Sequence, residues 1–296
     1  MMKYPTSSDC LDESNVAKKK HGFFASEQHV VEDIHKATGL CMGKRHAIAF
    51  LMEACDDIAY VVLDAEDAVK KGLASFSDLM AYLKFKFPTD PVVNKVVTES
   101  QEKHDRHTGL NLSPSELNDV SMQRFRVEAI AAMVRSVTAA FRDHEIELLQ
   151  GDLKDPLIKM SDAENLRSAL KKFSISHAYN HRSVLEVELQ GFNVIRGLMD
   201  LFWAAIIDRK DLNDPASRRN HPFTRYVYEK ISENYRRIFE NPTKTDQKLP
   251  IRYRECILLT DMISGMTDSF AVNLYDELLK LKGDFEPRSF LEVESQ

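Results

Sequence analysis

Apolar residues in this chain recur at steps of three and four rather than two, and only ten glycines and ten prolines interrupt its 296 residues. That periodicity predicts an all-α fold with no strand. Helices are expected near residues 26–38, 44–71, 77–86, 114–149, 162–178, 184–207, 223–240 and 251–282. Their ends carry local signals. Ser113-Pro114-Ser115-Glu116 joins a capping box to a proline at the first helical position, and Ser161 with Glu164 and Ser183 with Glu186 repeat the box. Gly39, Gly72, Gly151 and Gly283 follow expected helix ends. Residues 87–91, 208–221 and 241–250 collect Pro, Asp, Asn and Lys and read as loops. With no internal repeat and with long, unevenly spaced helices, the pattern predicts one helical domain over 26–296, preceded by a segment of its own over 1–25.

One helix departs from the usual balance of a surface helix. In LMEACDDIAYVVLDAEDA, Leu51 to Ala68, a turn of about 100° per residue places Glu53, Asp56, Asp57, Tyr60, Asp64 and Asp67 in one arc, with Glu66 pointing away. Apolar residues fill most of the remaining circumference, the reverse of a narrow apolar stripe. A run of acids is most often a solvated face. Here the apolar surround predicts an internal cleft, in which carboxylates need a cation or hydrogen-bond donors and a tyrosine adds an aromatic face and a hydroxyl. That combination suits a small polar ligand with a metal nearby.

Composition narrows the classes. At 43% hydrophobic and 29% charged residues the chain is an ordinary globular protein. Its net charge of −6 supplies no overall basic field for nucleic acid or anionic membrane. The longest apolar runs, such as Leu201 to Ile207, fall far short of the roughly 18 residues that span a bilayer. The first residues lack the apolar stretch of a secretory signal. Four scattered cysteines without a C-x-x-C pair suit reduced thiols in a cytosol.

Other candidate chemistry is sparse. Lys18-Lys19-Lys20 reads either as a solvated charge run or as a means of phosphate capture. GLCMGK, Gly39 to Lys44, fails as a phosphate-binding loop: it has one residue too few between its glycines, Arg45 in place of Ser or Thr, and no preceding strand. No H-E-x-x-H or G-x-S-x-G motif occurs, and His104-Asp105 sits in a polar run that reads as a loop or solvated helix surface.

Several stretches together resemble the bacterial deoxyguanosine triphosphate triphosphohydrolases of the HD-domain superfamily: KYP at Lys3 to Pro5, KKKHGFFASE at Lys18 to Glu27, RHAIAFLMEACDDIAYVVLDAEDAVKKG at Arg45 to Gly72, LEVELQGFNVIRGL at Leu185 to Leu198, and LLTDMISGMTDSFAVNLYDEL at Leu258 to Leu278. The resemblance implies an irregular multi-helix HD-domain-like globule, cytoplasmic and homo-oligomeric, often hexameric. It also implies cleavage of a deoxynucleoside triphosphate, dGTP or another dNTP, at the α-phosphorus to deoxynucleoside and tripolyphosphate. On that basis Asp56 is a ligand of a divalent metal, Mg or Mn. Tyr60 packs near the deoxyribose, Asp64 partners the 3′-hydroxyl, Lys3, Tyr4 and Lys20 face the phosphates, and Glu188 reads the guanine, with Arg218 or Arg219 assisting. The N-terminal segment would then lie on the phosphate side.

The family's other metal ligands, a histidine and a His-Asp pair, and its catalytic histidines precede the KYP stretch, while this sequence starts two residues before Lys3. The fold is therefore expected to be N-terminally incomplete. No catalytic residue is expected in this chain, its metal site is expected to be weak or absent, and hydrolysis is expected to need a complementing N-terminal HD segment. The other class of function consistent with the residues is a non-catalytic module with nucleotide-binding, oligomerisation or regulatory contacts. Single-stranded DNA is a partner that no residue pattern supports.

Overall fold

The computed structural model describes residues 3–7, 10–15, 17–41, 43–151, 153–243, 248–287 and 289–290; residues 244–247 of the expected loop at 241–250 lie outside them. The chain is all-α. Among the described residues twelve α-helices follow in order: α1 Gln28–Thr38, α2 Ala47–Lys70, α3 Phe76–Lys86, α4 Pro91–Thr108, α5 Pro114–Asp143, α6 Glu145–Leu149, α7 Glu164–Ser174, α8 Arg182–Ile207, α9 Pro222–Glu229, α10 Glu233–Glu240, α11 Ile251–Ser264 and α12 Asp268–Leu281. A single antiparallel bridge, Arg209 to Arg219, is the one extended pairing among the described residues.

The chain divides into two compact units, Met1–Val184 and Leu185–Gln296. In the first unit α2 packs on α5 and α7, and α4 on α5 and α3. The core comprises Phe50, Ile58, Val62 and Ala65 of α2, Phe76 and Leu83 of α3, Phe125 and Met133 of α5, and Leu170 and Phe173 of α7. In the second unit Leu198, Phe202 and Trp203 of α8 meet Val227 of α9, Phe239 of α10, Leu259 of α11 and Leu274 of α12.

Local signals act where expected at several ends. The Ser113 hydroxyl accepts from the Glu116 amide while the Glu116 carboxylate accepts from the Ser113 amide, closing the box ahead of α5. Gly72, at φ 67°, stops α2 in the left-handed region that favours glycine. The other two expected boxes do not form: α7 begins after Ala163 with no side-chain cap, and α8 begins at Arg182, before Ser183. Four expected helices are broken or changed near their ends. His144 divides α5 from α6, a π-helical turn over Ile175–Tyr179 follows α7, and breaks separate α9 from α10 and α11 from α12. α4 is a helix that the apolar pattern misses. Its N-cap Asp90 accepts from the Val93 amide and Pro91 sits in its first turn, but only Val93, Val96, Val97 and Ser100 are buried, too brief a stripe to show a period.

Candidate functional site

The N-terminal segment and the lysine run are held side by side. The Gly22 amide donates to the Thr6 carbonyl at 3.0 Å, and the Thr6 hydroxyl donates to the Ala17 carbonyl at 3.2 Å. Gly22 is required by contact: a Cβ there would stand 1.4 Å from the Tyr4 carbonyl oxygen. Gly22→Ala is therefore expected to cost about 1–3 kcal/mol as an overpacked site and to loosen the segment. Limited trypsin digestion at Lys18 to Lys20 should quicken; an unchanged cleavage rate would show that the segment does not depend on this approach.

These two pieces bring cations to the start of α2. Lys3 Nζ lies 3.6 Å from Glu53 and 3.8 Å from Asp56, and Lys19 Nζ lies 3.9 Å from Glu53. Arg45 is wholly buried, 2.8 Å from Glu53, with its guanidinium over the rings of Tyr4 at 5.4 Å and Phe50 at 4.7 Å. Glu53 thus serves as the shared anion of three cations at one end of the helix. It lies in the expected acidic arc but is buried, whereas Glu66, which points away from the arc, is buried on the other side against Arg126 and Lys70, each at 2.8 Å.

Further along, the arc is open where an internal cleft is expected. Asp56 and Asp67 are exposed, Tyr60 is 62% exposed, and Cys55, Ala59 and Leu63 beside them are exposed too. Within the first unit α2 buries its other face, through Phe50, Ala54, Ile58, Val61, Val62 and Ala65, so the apolar residues bordering the acids are not core. Asp56, Tyr60 and Asp64 project at successive turns, about 6 Å apart along the axis. Asp64 is half-buried and accepts a 2.5 Å hydrogen bond from the hydroxyl of Tyr179 at the end of the π-helical turn. That bond, with burial and the nearby acids, pushes the Tyr179 hydroxyl up to about 12.

Burial raises the Asp57 carboxyl above the usual range; the Arg167 guanidinium opposes this, while Glu53 adds to it. A folded pKa above the unfolded one gives stability that is present below the ordinary carboxylate range and lost as pH rises through the raised value. Asp57→Asn is accordingly expected to raise the unfolding midpoint at pH 7, with the gain fading below about pH 4. A gain of equal size at both pH values would point to packing instead of charge.

The structure gathers Lys3, Tyr4, Asp56, Tyr60 and Asp64 in one unit, along α2 and its flanking segment. Lys20 is exposed, and it is Lys19 that reaches Glu53. Glu188 belongs to the second unit, exposed on α8, where Arg218 is exposed and Arg219 buried. Tyr179 joins the site though no sequence pattern singles it out, and Arg45, inside a resembling stretch, carries no role there. Glu53 belongs to the acidic arc and Lys19 to the lysine run in the sequence pattern, but not as partners of each other.

Among the described residues no group of three or more His, Cys, Asp or Glu side chains converges as ligands, and Asp56 faces Lys3. Also among the described residues, no helix is long and apolar enough to cross a membrane.

No protein-family model matches the chain. Curated relatives do. It is 27% identical over 278 residues to a deoxyguanosinetriphosphate triphosphohydrolase-like protein of Listeria monocytogenes, covering 94% of this chain and 58% of that protein. It is 29% identical over 279 residues to the deoxyguanosinetriphosphate triphosphohydrolase of Cronobacter sakazakii, covering 89% and 54%. The Serratia proteamaculans enzyme of the same name is 29% identical over 289 residues, covering 92% and 56%. Over about nine-tenths of its length the chain is thus similar to deoxyguanosine triphosphate triphosphohydrolases and proteins like them, and it spans a little over half the length of these curated relatives.

Proposed function

We propose that this chain is the nucleotide-binding portion of a dGTP triphosphohydrolase, a hydrolase that releases deoxyguanosine and tripolyphosphate, and that it does not cut dGTP alone. The observation that carries this reading is the order of groups along α2: the cations Lys3 and Lys19 beside Glu53 and Asp56, then Tyr60, then Asp64. That order matches the order of groups in the substrate. Lysines at the start offset a polyphosphate. An exposed tyrosine one turn on offers a flat apolar face to a sugar that lacks a 2′-hydroxyl, and a ribose would meet that face with an unaccommodated hydroxyl. Asp64, held by Tyr179, has its second oxygen free of that bond to accept from a 3′-hydroxyl.

Asp56 would offer one carboxylate to a divalent metal, Mg or Mn, whose remaining ligands come from the rest of a longer protein. When bound there, such a metal polarises a phosphoryl oxygen. Lys20 and Tyr4 complete the phosphate side. The open, partly apolar face of α2 supports a covering partner, either the complementing segment or another copy in a homo-oligomer. Four scattered cysteines with no C-x-x-C pair suit work in the cytosol. The second reading, for the isolated chain, is a non-catalytic nucleotide-binding module.

The test is an assay of dGTP with Mg²⁺ or Mn²⁺. This chain alone should give no deoxyguanosine, and a longer protein containing it should give deoxyguanosine and tripolyphosphate in equal amounts. Release of pyrophosphate instead of tripolyphosphate would end this reading.

A further inference from the structure

Glu53 places a negative charge, only 4% exposed, directly beside the lysines of the phosphate side. Charge counting alone makes it an obstacle, because a carboxylate within ion-pair range of a bound anion repels it. The geometry divides its two oxygens between two tasks. Oε2 accepts from Arg45 Nη1 at 2.8 Å, and the Arg45 side chain is fully covered. Oε1 faces Lys3 Nζ at 3.6 Å and Lys19 Nζ at 3.9 Å, on side chains that are 31% and 34% exposed. Arg45 therefore cancels the formal charge of Glu53 from the buried side. The two lysine charges remain at the surface, with Asp56 as the acid beside Lys3. At these distances neither lysine spends an N–H donor on Glu53, so the contact sets a direction without using up the group that a phosphate oxygen needs.

The lysine run divides around this carboxylate. Lys18 lies against Gly43, where a Cβ would stand 3.3 Å from its Cε, Lys20 is exposed, and Lys19 turns to Glu53. Backbone bonds from Gly22 to Thr6, and the Thr6 hydroxyl bond to Ala17, hold the roots of Lys3 and Lys19 side by side. Tyr4 stands between two cations, with Lys3 Nζ at 5.8 Å and the Arg45 guanidinium at 5.4 Å from its ring. A free lysine samples many rotamers, and a bound anion must freeze them at a cost in affinity. A fixed carboxylate under both ammonium groups meets that cost in advance.

We propose that Glu53 is a positioning residue for a polyphosphate: its Oε1 holds Lys3 and Lys19 ready for the phosphate chain while Arg45 neutralises it. This role rests on the reading in which those lysines meet the phosphates, and it assigns the group that sets their places. Its consequence runs against charge counting. Removal of a negative charge from beside an anion site should weaken the binding of the anion.

Titration calorimetry on the full chain tests this, in metal-free buffer at low salt with inorganic tripolyphosphate as the probe. The parent should bind, and Glu53→Gln, which keeps an oxygen for Arg45 and removes the charge, should weaken binding by about tenfold. Repulsion alone predicts tighter binding. Glu66→Gln disturbs another buried pair of α2, with Arg126 and Lys70, and should leave the affinity unchanged. In a Lys19→Ala background the effect of Glu53→Gln should shrink, because partners in one network are not additive. Unchanged or tighter binding by Glu53→Gln, an equal loss in Glu66→Gln, or an undiminished effect in the Lys19→Ala background would overturn the positioning role and leave the proposed phosphate side standing. A parent that does not bind tripolyphosphate would remove that phosphate side and the role of Glu53 with it. If Glu53→Gln fails to fold, acetylation of the parent followed by mass spectrometry decides. Lys19 should react more slowly than Lys20 and slow further with tripolyphosphate; a Lys19 that reacts as fast as Lys20 would show that Glu53 does not hold it.

Discussion

Glu53→Ala is expected to destabilise the first unit by about 3–5 kcal/mol, the cost of leaving one member of a buried ion pair uncompensated. Glu53 is 4% exposed and Arg45 1%, and the two meet at 2.8 Å. Arg45 already has Nε and Nη2 without hydrogen-bond partners among the described residues, so removal of Glu53 would strip the carboxylate paired with its buried charge. Lys3 and Lys19 lose their shared anion as well, though these longer, half-exposed contacts add less. Urea unfolding followed by circular dichroism measures the loss. The double change Arg45→Met with Glu53→Leu should recover much of it, because well-packed apolar residues can replace a buried pair at little cost. A loss under about 1 kcal/mol for Glu53→Ala would mean that water reaches Arg45 and that the pair is not the anchor of the N-terminal segment.

In a longer protein that contains this chain and turns over dGTP, Asp56→Ala is expected to lower the rate of deoxyguanosine release by more than about 100-fold, beyond the effect of losing a mere supporting partner. Asp56 is exposed, and among the described residues it pairs with Lys3 at 3.8 Å, so its removal should hardly change stability. A large loss of rate with an unchanged unfolding midpoint would place Asp56 in the chemistry. Tyr60→Ala separates the sugar from the phosphate side. It should narrow the preference for dGTP over GTP by about tenfold or more while leaving the divalent-metal dependence unchanged. An Asp56→Ala enzyme that keeps most of its rate would remove the metal-ligand role, and with it the main reason to align α2 with the reacting phosphate.

Much of this was readable from residue order. The i, i+3, i+4 recurrence of Phe50, Ala54, Ile58, Val61, Val62 and Ala65 determined α2 and the side it buries, since each turn must place its apolar side chains on one core. Serine and glycine signals at Ser113 and Gly72 determined ends because they act through their own backbone neighbours. The order of Lys3, Asp56, Tyr60 and Asp64, and the likeness they carry, also belonged to the sequence. α4 escaped notice because four buried positions followed by charged residues show too little periodicity, although Asp90-Pro91 signalled its start.

Only the tertiary structure decided which members of one acidic arc are buried. Glu53 and Asp56 are three residues apart on one helix, so no local pattern tells them apart. Packing of Arg45 between Tyr4 and Phe50 draws Glu53 inward and leaves Asp56 open. Likewise nothing in the dipeptide Arg218-Arg219 says that one side chain lies flat on Tyr228 with a nitrogen unmatched while its neighbour is exposed. Helix faces follow from spacing within a segment. Burial of a charge follows from partners that arrive from distant parts of the chain, and their meeting is a property of the fold.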